Sequence, residues 1–449
     1  MARLEARRRQ PPRPAGTRVV IDVRPLQEPE RTPITAEYLE RLLGAFAAEP
    51  LETESFLILT RAMRPDPSVA LEAAGLPVAA RRRLPPTSRL LRSAGLTLDA
   101  FLLRGAELGA ARGAREGGAA GTVYHTAGGA VPLASGLPVV ATLLDLAPWE
   151  LPQLYAASAA ARFGHRLRAR VLHDAARVIV CSRATADTAR RRLHLPAERI
   201  SVVPLAVDDA WREAGRDEAR RAAVRTRLAL PERYLVFSGR YDARKDMATL
   251  FAALRAMARD GMPDRPRPRG RRRAEASAEA RSEEHGPPLL VLAAQYETDD
   301  DVVALENAVA RSGAGDSLRV APRLERGDRA ALLAGAQALV YPSLSEATGL
   351  PALEALSLGV PVICSRAGAL PEIVGSAGIV VEPRDPARLA SAIATLWAGG
   401  TLAEGLRRQA QRRAALPARS WLDVARETRS VYAAVATEAA QAAGVGGAR

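Results

Sequence analysis

Lysine is all but missing from this chain. Of 64 lysine and arginine residues only Lys245 is a lysine. Nearly every cationic contact must therefore use the planar guanidinium fork, and a compact ammonium is available at one place only. Cysteine is almost as scarce. Cys181 and Cys364 each end an apolar, strand-like run, which excludes a disulfide framework and reads as buried thiols in a reducing compartment. Aromatic residues amount to 4%, so the cores must be built from Ala, Leu and Val. No apolar run approaches the length that crosses a bilayer. The basic start MARLEARRRQPPRPAG lacks the apolar stretch of a signal peptide. A cytoplasmic protein is expected. No acidic pair or histidine cluster resembles a metal site, and none is expected.

What is present is ample material for large cores. A chain of 449 residues with 48% hydrophobic content implies two or three domains. The net charge of +14 fits a nucleic-acid partner, an anionic membrane surface or an arginine-rich proteome. Part of it lies in residues 1–16 and in the insert 264–288, DRPRPRGRRRAEASAEARSEEHGPP. Both have too few apolar residues to offset their ordering entropy and are expected to be disordered. No aromatics alternate with the insert's arginines, so a base-stacking platform is not indicated and no specific nucleic acid is expected. Peripheral contact with the inner face of an anionic membrane stays open.

Apolar strands alternate with amphipathic helices along the rest. Strands are expected near 18–23, 55–59, 122–125, 138–144, 177–181 and 200–203, then near 234–238, 289–293, 317–321, 338–341, 361–364 and 378–381. Helices fit 36–47, 245–259, 301–311, 326–334, 350–358 and 386–398. This order predicts an α/β protein with two Rossmann-like, doubly wound parallel sheets, the boundary falling near Val207-Asp208-Asp209. Open sheets of this kind bind ligands at the carboxyl ends of their strands.

The most informative stretch is YPSLSEATGLPALEALSLGVPVICSRAGALPE, Tyr341 to Glu372. A strand enters a polar loop, and Gly349-Leu350-Pro351 opens a helix. Proline suits a helix start, where its missing N–H has no partner to lose. The free amides there attract anions such as phosphate. Glu346 and Glu354, seven residues between them, cannot hold phosphates, but they can accept hydrogen bonds from sugar and ribose hydroxyls. A second stretch, YLVFSGRYDARKD, Tyr234 to Asp246, carries the lone lysine just past a strand and a glycine turn.

Both stretches resemble the family-4 retaining glycosyltransferases of the GT-B fold, and most closely the mannosyltransferase-like bacterial group 1 enzymes. Glu346-Ala347-Thr348-Gly349-Leu350-Pro351, Glu354-Ala355, Gly359 and Pro361-Val362 follow that family's E-x7-E pattern. Weaker likeness, in the right order, covers residues 17–435. The resemblance implies two Rossmann-like domains facing across a cleft. Residues 17–208 would form the acceptor-side domain and 209–420 the donor nucleotide-sugar domain, with a helix at 421–440 crossing back and a tail at 441–449. It implies transfer of a hexose, mannose- or glucose-like, from a nucleotide-diphosphate sugar such as GDP-mannose or UDP-glucose to a glycan, lipid or other acceptor. Anomeric configuration would be retained, without metal or further cofactor. Glu346, Arg240 and Lys245 take the catalytic positions. Gly239, Arg240, Lys245, Glu346, Thr348, Gly349, Leu350 and Glu354 take the donor-binding positions, with Glu346 on the sugar, Glu354 on the ribose and Arg240 with Lys245 on the diphosphate.

The chain departs from the pattern at four places, one of them the strand near 289–293, which ends in Ala-Ala where the family often has glycine. Thr348 stands where the family has an aromatic. The glycine-rich loop after the first strand is replaced by Thr32-Pro33-Ile34-Thr35. Leu144 stands where related members have a histidine that helps the chemistry. His125, at a strand end in VYHTAGG, either faces the acceptor or is structural. A second reading follows from these departures: a GT-B scaffold or nucleotide-sugar-binding protein with weakened catalysis. Because the 264–288 insert shares none of the motif residues, its deletion is expected to leave donor consumption within about twofold of wild type, measured as nucleoside diphosphate release; a loss of about tenfold, or 1.4 kcal/mol, would place it in the chemistry.

Overall fold

The computed structural model describes residues 17–84, 121–128, 132, 135–156, 158–260, 288–295 and 299–446. The expected basic tail 1–16, the insert 264–288 apart from Pro288, and the last three residues lie outside the described residues.

Two parallel sheets organise the described chain. The first contains β1 (Thr17–Asp22), β2 (Ser55–Arg61), β3 (Val78–Leu84), β4 (Gly121–Ala127), β5 (Val139–Leu143), β6 (Arg177–Val180) and β7 (Ile200–Val202), in the order β3-β2-β1-β4-β5-β6-β7. The second contains β8 (Leu235–Arg240), β9 (Leu290–Gln295), β10 (Leu318–Val320), β11 (Leu339–Tyr341), β12 (Val362–Ser365) and β13 (Gly378–Val381), in the order β10-β9-β8-β11-β12-β13. Val19 faces Phe56 on one side and Val123 on the other, and Val236 faces Val291 and Leu339. Central strands such as β5 and β11 are buried along their whole length, as strands covered on both faces must be.

Every strand and helix expected from the sequence is present to within a few residues. The strand that was missed, β3, reads VAARRRL, and five of its seven residues are exposed. It sits at the edge of its sheet. An edge strand half covered with arginines has no apolar alternation to betray it, and its charges discourage pairing with other chains.

The described chain forms two compact units. One comprises the residues up to Thr142, Asp174–Val178 and the chain from Ala425 on; the other comprises Leu143–His173 and Ile179–Val424. The last helix runs Trp421–Gly446, past residue 440, where a tail was expected. Within the first unit, Arg429 on this helix pairs with Glu54 at 2.7 Å and donates to the Glu49 carbonyl at 2.7 Å. Ala436 packs so closely on Gly121 that a Cβ there would overlap it.

Tyr432 from the same helix bonds His125 Nδ1 at 2.7 Å, and His125 Nε2 bonds Thr142 Oγ1 at 2.9 Å. Thr142 in turn meets the Tyr38 hydroxyl at 3.1 Å. His125 is fully buried, so it is the structural histidine and not a group facing an acceptor. Burial pushes its pKa down to about 3, with the Asp22 charge opposing. It is neutral in the fold but takes a proton near pH 6.5 once unfolded. Its contribution to stability is therefore complete above pH 6.5 and declines as pH falls from 6.5 toward 3, at roughly 1.4 kcal/mol per pH unit. Calorimetric unfolding at pH 8 and pH 5 checks this. His125→Gln is expected to unfold at lower temperature at pH 8 yet lose less on acidification than wild type; parallel losses would contradict the assignment.

Candidate active site

In the second sheet the strand order reverses between β8 and β11, which is where open α/β sheets form their ligand crevice. Both sequence-selected stretches leave the sheet there, from the carboxyl ends of β8 and β11. After β8, Asp242 caps a tight 3-10 turn, Ala243–Lys245, by accepting from Arg244 N at 2.9 Å. Asp246 then adopts a left-handed conformation with φ 49°, a strained choice for a non-glycine residue. This reversal starts the helix Met247–Asp260 and leaves Arg244 and Lys245 buried behind it. The loop after β11 is tied to this turn, since Leu344 N donates to the Arg244 carbonyl at 2.7 Å.

The lone lysine meets the first glutamate. Lys245 Nζ lies 2.6 Å from Glu346 Oε2, both side chains being 3% exposed. Lys245 also bonds the Tyr341 hydroxyl and lies 4.5 Å from the centre of that ring, a cation–π arrangement. Tyr341 donates to Glu346 Oε2 at 2.8 Å. The other carboxylate oxygen, Oε1, takes longer bonds from Thr348 Oγ1 and Gly349 N, each at 3.3 Å. Arg244 lies alongside, paired with Asp145 at 3.0 Å and Asp242 at 3.1 Å.

Charge states follow from these neighbours. Burial alone would raise the Glu346 pKa, but Lys245 and Arg244 outweigh it and bring it to about 2. Burial pulls the Lys245 pKa down, with Glu346 opposing. Burial and the Glu346 charge push the Tyr341 phenol well above its ordinary value. At neutral pH the phenol keeps its proton and Glu346 is an anion.

Two glycines set the loop's shape. Gly349 caps the helix Leu350–Ser357 at φ +62°, where a Cβ would strike Ile373. Gly368, at φ +48°, passes so close beneath Glu346 that a Cβ would collide with its carbonyl oxygen, which also accepts from Ala369 N at 2.8 Å. Only glycine meets both demands.

Glu354, by contrast, sits with a different cation. It is buried on the Leu350–Ser357 helix, 3.5 Å from Arg326 Nη2. Arg326 also pairs with Asp208 at 2.7 Å and stacks on Trp211 at 4.9 Å. Trp211 Nε1 donates to the Glu354 carbonyl at 3.4 Å. Arg240 ends β8, half-buried, and its charge is felt at the Tyr155 phenol. Gly239, at φ +144°, lies over the edge of the Tyr341 ring, and Leu350 opens the helix. The structure thus gathers Lys245, Glu346, Thr348 and Gly349 into one hydrogen-bonded group and gives Glu354 its own.

Sequence reasoning missed Tyr341, Arg244, Asp145 and Glu150. Tyr341 reads as an ordinary strand residue. Arg244 is one arginine among many, and only its place beside the single lysine distinguishes it. Glu150 accepts from the hydroxyl of Ser345 in the glutamate loop, and burial raises its pKa. The same loop is held by Thr185 Oγ1, which donates to the Ala347 carbonyl at 2.8 Å. Leu144, at the family's histidine position, is buried. Among the described residues no group of three or more His, Cys, Asp or Glu could hold a metal ion, and no helix is long and apolar enough to cross a membrane.

Comparison with known proteins agrees with this architecture. Residues 273–399 match the family model of the glycosyl transferases group 1, and residues 118–211 that of glycosyltransferase family 4. The O-antigen chain mannosyltransferase B of Escherichia coli is 43% identical over 96 residues, 21% of this chain and 25% of that one. The D-inositol 3-phosphate glycosyltransferase of Geodermatophilus obscurus is 32% identical over 313 residues, 66% of this chain and 64% of that one. The chain thus spans between a quarter and somewhat under two thirds of these curated relatives. Anabaena HepE, solved in complex with UDP, superposes with a TM-score of 0.59 at 17% identity, over 93% of this chain and 100% of that one. The GT-B fold expected from the glutamate loop is the fold found.

The close pass at Gly368 gives a direct check on the loop. Gly368→Ala is expected to lose more than about 2 kcal/mol of stability, because strain adds to a backbone collision. Gly399→Ala, also at positive φ but with open space around it, is expected to lose about 1 kcal/mol. Denaturant unfolding of the two variants measures the difference, and equal losses would mean the loop relaxes freely.

Proposed function

We propose that this chain, whose matched segments place it with the group 1 and family 4 glycosyltransferases, transfers a hexose from a nucleotide-diphosphate sugar to a glycan, lipid or other acceptor. The observation that carries the reading is the buried Lys245–Glu346 pair at the switch point of the second sheet. It puts a cation suited to a diphosphate beside a carboxylate suited to a sugar hydroxyl. A mannose- or glucose-like donor is supported by the mannosyltransferases among the relatives and by the UDP and glucose held in a HepE structure.

The chemistry asked of the site is electrostatic. As the bond to the sugar breaks, negative charge grows on the departing diphosphate. Once the donor is bound, cations and amides held against its diphosphate stabilise that charge without reorganising in the step itself. Lys245, Arg240 and the amides at Gly349 and Leu350 take this role. Arg244 adds a buried positive charge held by Asp145 and Asp242. Glu346 orients the sugar and Glu354 the ribose. These carboxylates hold hydroxyls spread along the donor and are not cast as the acid pair of a retaining glycosidase. Retention of anomeric configuration and transfer without a metal ion belong to this reading. So does an acceptor recognised by residues 17–208, with 209–420 as the donor domain.

The second reading, donor binding without efficient transfer, draws its support from Leu144. A buried leucine can neither donate a hydrogen bond nor move a proton. Binding of a nucleotide sugar that is never consumed, by hydrolysis or transfer, would favour it.

Calorimetry with nucleosides and nucleoside diphosphates tests the site. Lys245→Ala is expected to weaken diphosphate binding at least tenfold, about 1.4 kcal/mol, and nucleoside binding little; equal losses would remove the phosphate role. Glu354→Ala is expected to weaken nucleotide binding, whereas Glu346→Ala chiefly lowers turnover. If both glutamate variants bind and turn over like wild type, the assignment fails.

A further inference from the structure

We propose that Tyr341 is a positioning residue that keeps Glu346 ionised when Lys245 turns from it to a nucleoside diphosphate. This rests on the donor-site reading and deepens it.

The direction of every hydrogen bond in the group is fixed by chemistry. An ammonium has donors only, and so does an ionised carboxylate have acceptors only. The Tyr341 oxygen must therefore accept from Lys245 and give its own proton to Glu346 Oε2, at 2.8 Å. Glu346 thus holds two short bonds on Oε2, from Lys245 at 2.6 Å and from Tyr341. Its two bonds on Oε1, from Thr348 and Gly349, are long.

The donors differ in freedom to move. Tyr341 ends β11 and is 1% exposed. Its ring stacks on Phe237 with centroids 6.0 Å apart and lies under the Gly239 backbone. The phenol is fixed by the sheet. Lys245 reaches the same point on a four-carbon stem with three rotatable donors. A diphosphate that engages the ammonium draws it away from a carboxylate which is itself buried. A buried carboxylate that loses its counter-ion tends to take up a proton. Whether it does so depends on the groups left facing it: Arg244, whose positive charge also acts on Glu346 but is shared with Asp145 and Asp242, the like charge of Glu150, and the one short donor, Tyr341.

The consequence is a proton count. In wild type the phenol holds Glu346 as an anion through donor binding. In Tyr341→Phe, which removes the hydroxyl and keeps the ring, the carboxylate accepts one proton from the buffer as Lys245 departs. Binding is then linked to proton uptake, so affinity falls as pH rises.

Titration calorimetry with UDP and with GDP, in two buffers of different ionisation enthalpy, reads this count. Tyr341→Phe is expected to take up close to one more proton per site than wild type. Its affinity relative to wild type is expected to fall up to about tenfold per pH unit between pH 6 and 8. The double variant Tyr341→Phe, Glu346→Gln has no carboxylate to protonate and is expected to return to the wild-type count, which a merely structural tyrosine would not produce. Thr348→Val, lacking a longer bond, is expected to shift the count less. A Tyr341→Phe protein that binds with the wild-type proton count and pH slope overturns the proposal while leaving the donor site standing. Wild-type protein that binds neither UDP nor GDP overturns both.

Discussion

The ion pair between Lys245 and Glu346 sets the terms for everything around it. Removing two charges from water costs several kcal/mol per ion, and mutual attraction repays this only when the remaining donors and acceptors are also satisfied. Tyr341, Thr348 and the Gly349 amide complete the carboxylate, and the Tyr341 ring and hydroxyl complete the ammonium. Each partner has to arrive at a fixed place. Two strand ends, a left-handed aspartate and two glycines at positive φ are the means. The strain at Asp246 and the bare backbone at Gly368 are the local costs of that placement.

The position of the pair follows from topology. Because β8 and β11 are neighbours from which the strand order runs in opposite directions, the two loops that leave them meet, Leu344 N bonding the Arg244 carbonyl. The same logic explains why short loops suffice. The turn after β8 needs only Tyr241 to Asp246 to deliver both cations, and the loop after β11 needs only Pro342 to Gly349 to deliver the carboxylate and an open helix start.

The sequence made the elements legible because the strands are continuous apolar runs and the helices carry clear starts, such as Gly349-Leu350-Pro351. Lys245 and Glu346 were legible too, one through its rarity and the other through its spacing to Glu354. What escaped was of another kind. Edge strand β3 is written mostly in arginine and alanine, so neither periodicity nor apolarity marks it. Tyr341 is indistinguishable in one dimension from any aromatic that ends a strand. Asp145 reaches Arg244 across 99 residues of chain. His125 was ambiguous because a strand-end histidine can point either way, and only the helix that carries Tyr432, 307 residues later, decides it. Pairings that depend on distant packing leave no local trace.

An arginine-for-lysine bias has one more outcome. The only side-chain amine in the sequence is 2% exposed and engaged by a phenol and a carboxylate. Acyl transfer, isopeptide tagging and ester-based labelling reagents all need an accessible nucleophilic nitrogen. No lysine amine is offered on the folded surface, and the reagent that does reach Lys245 must first open the site.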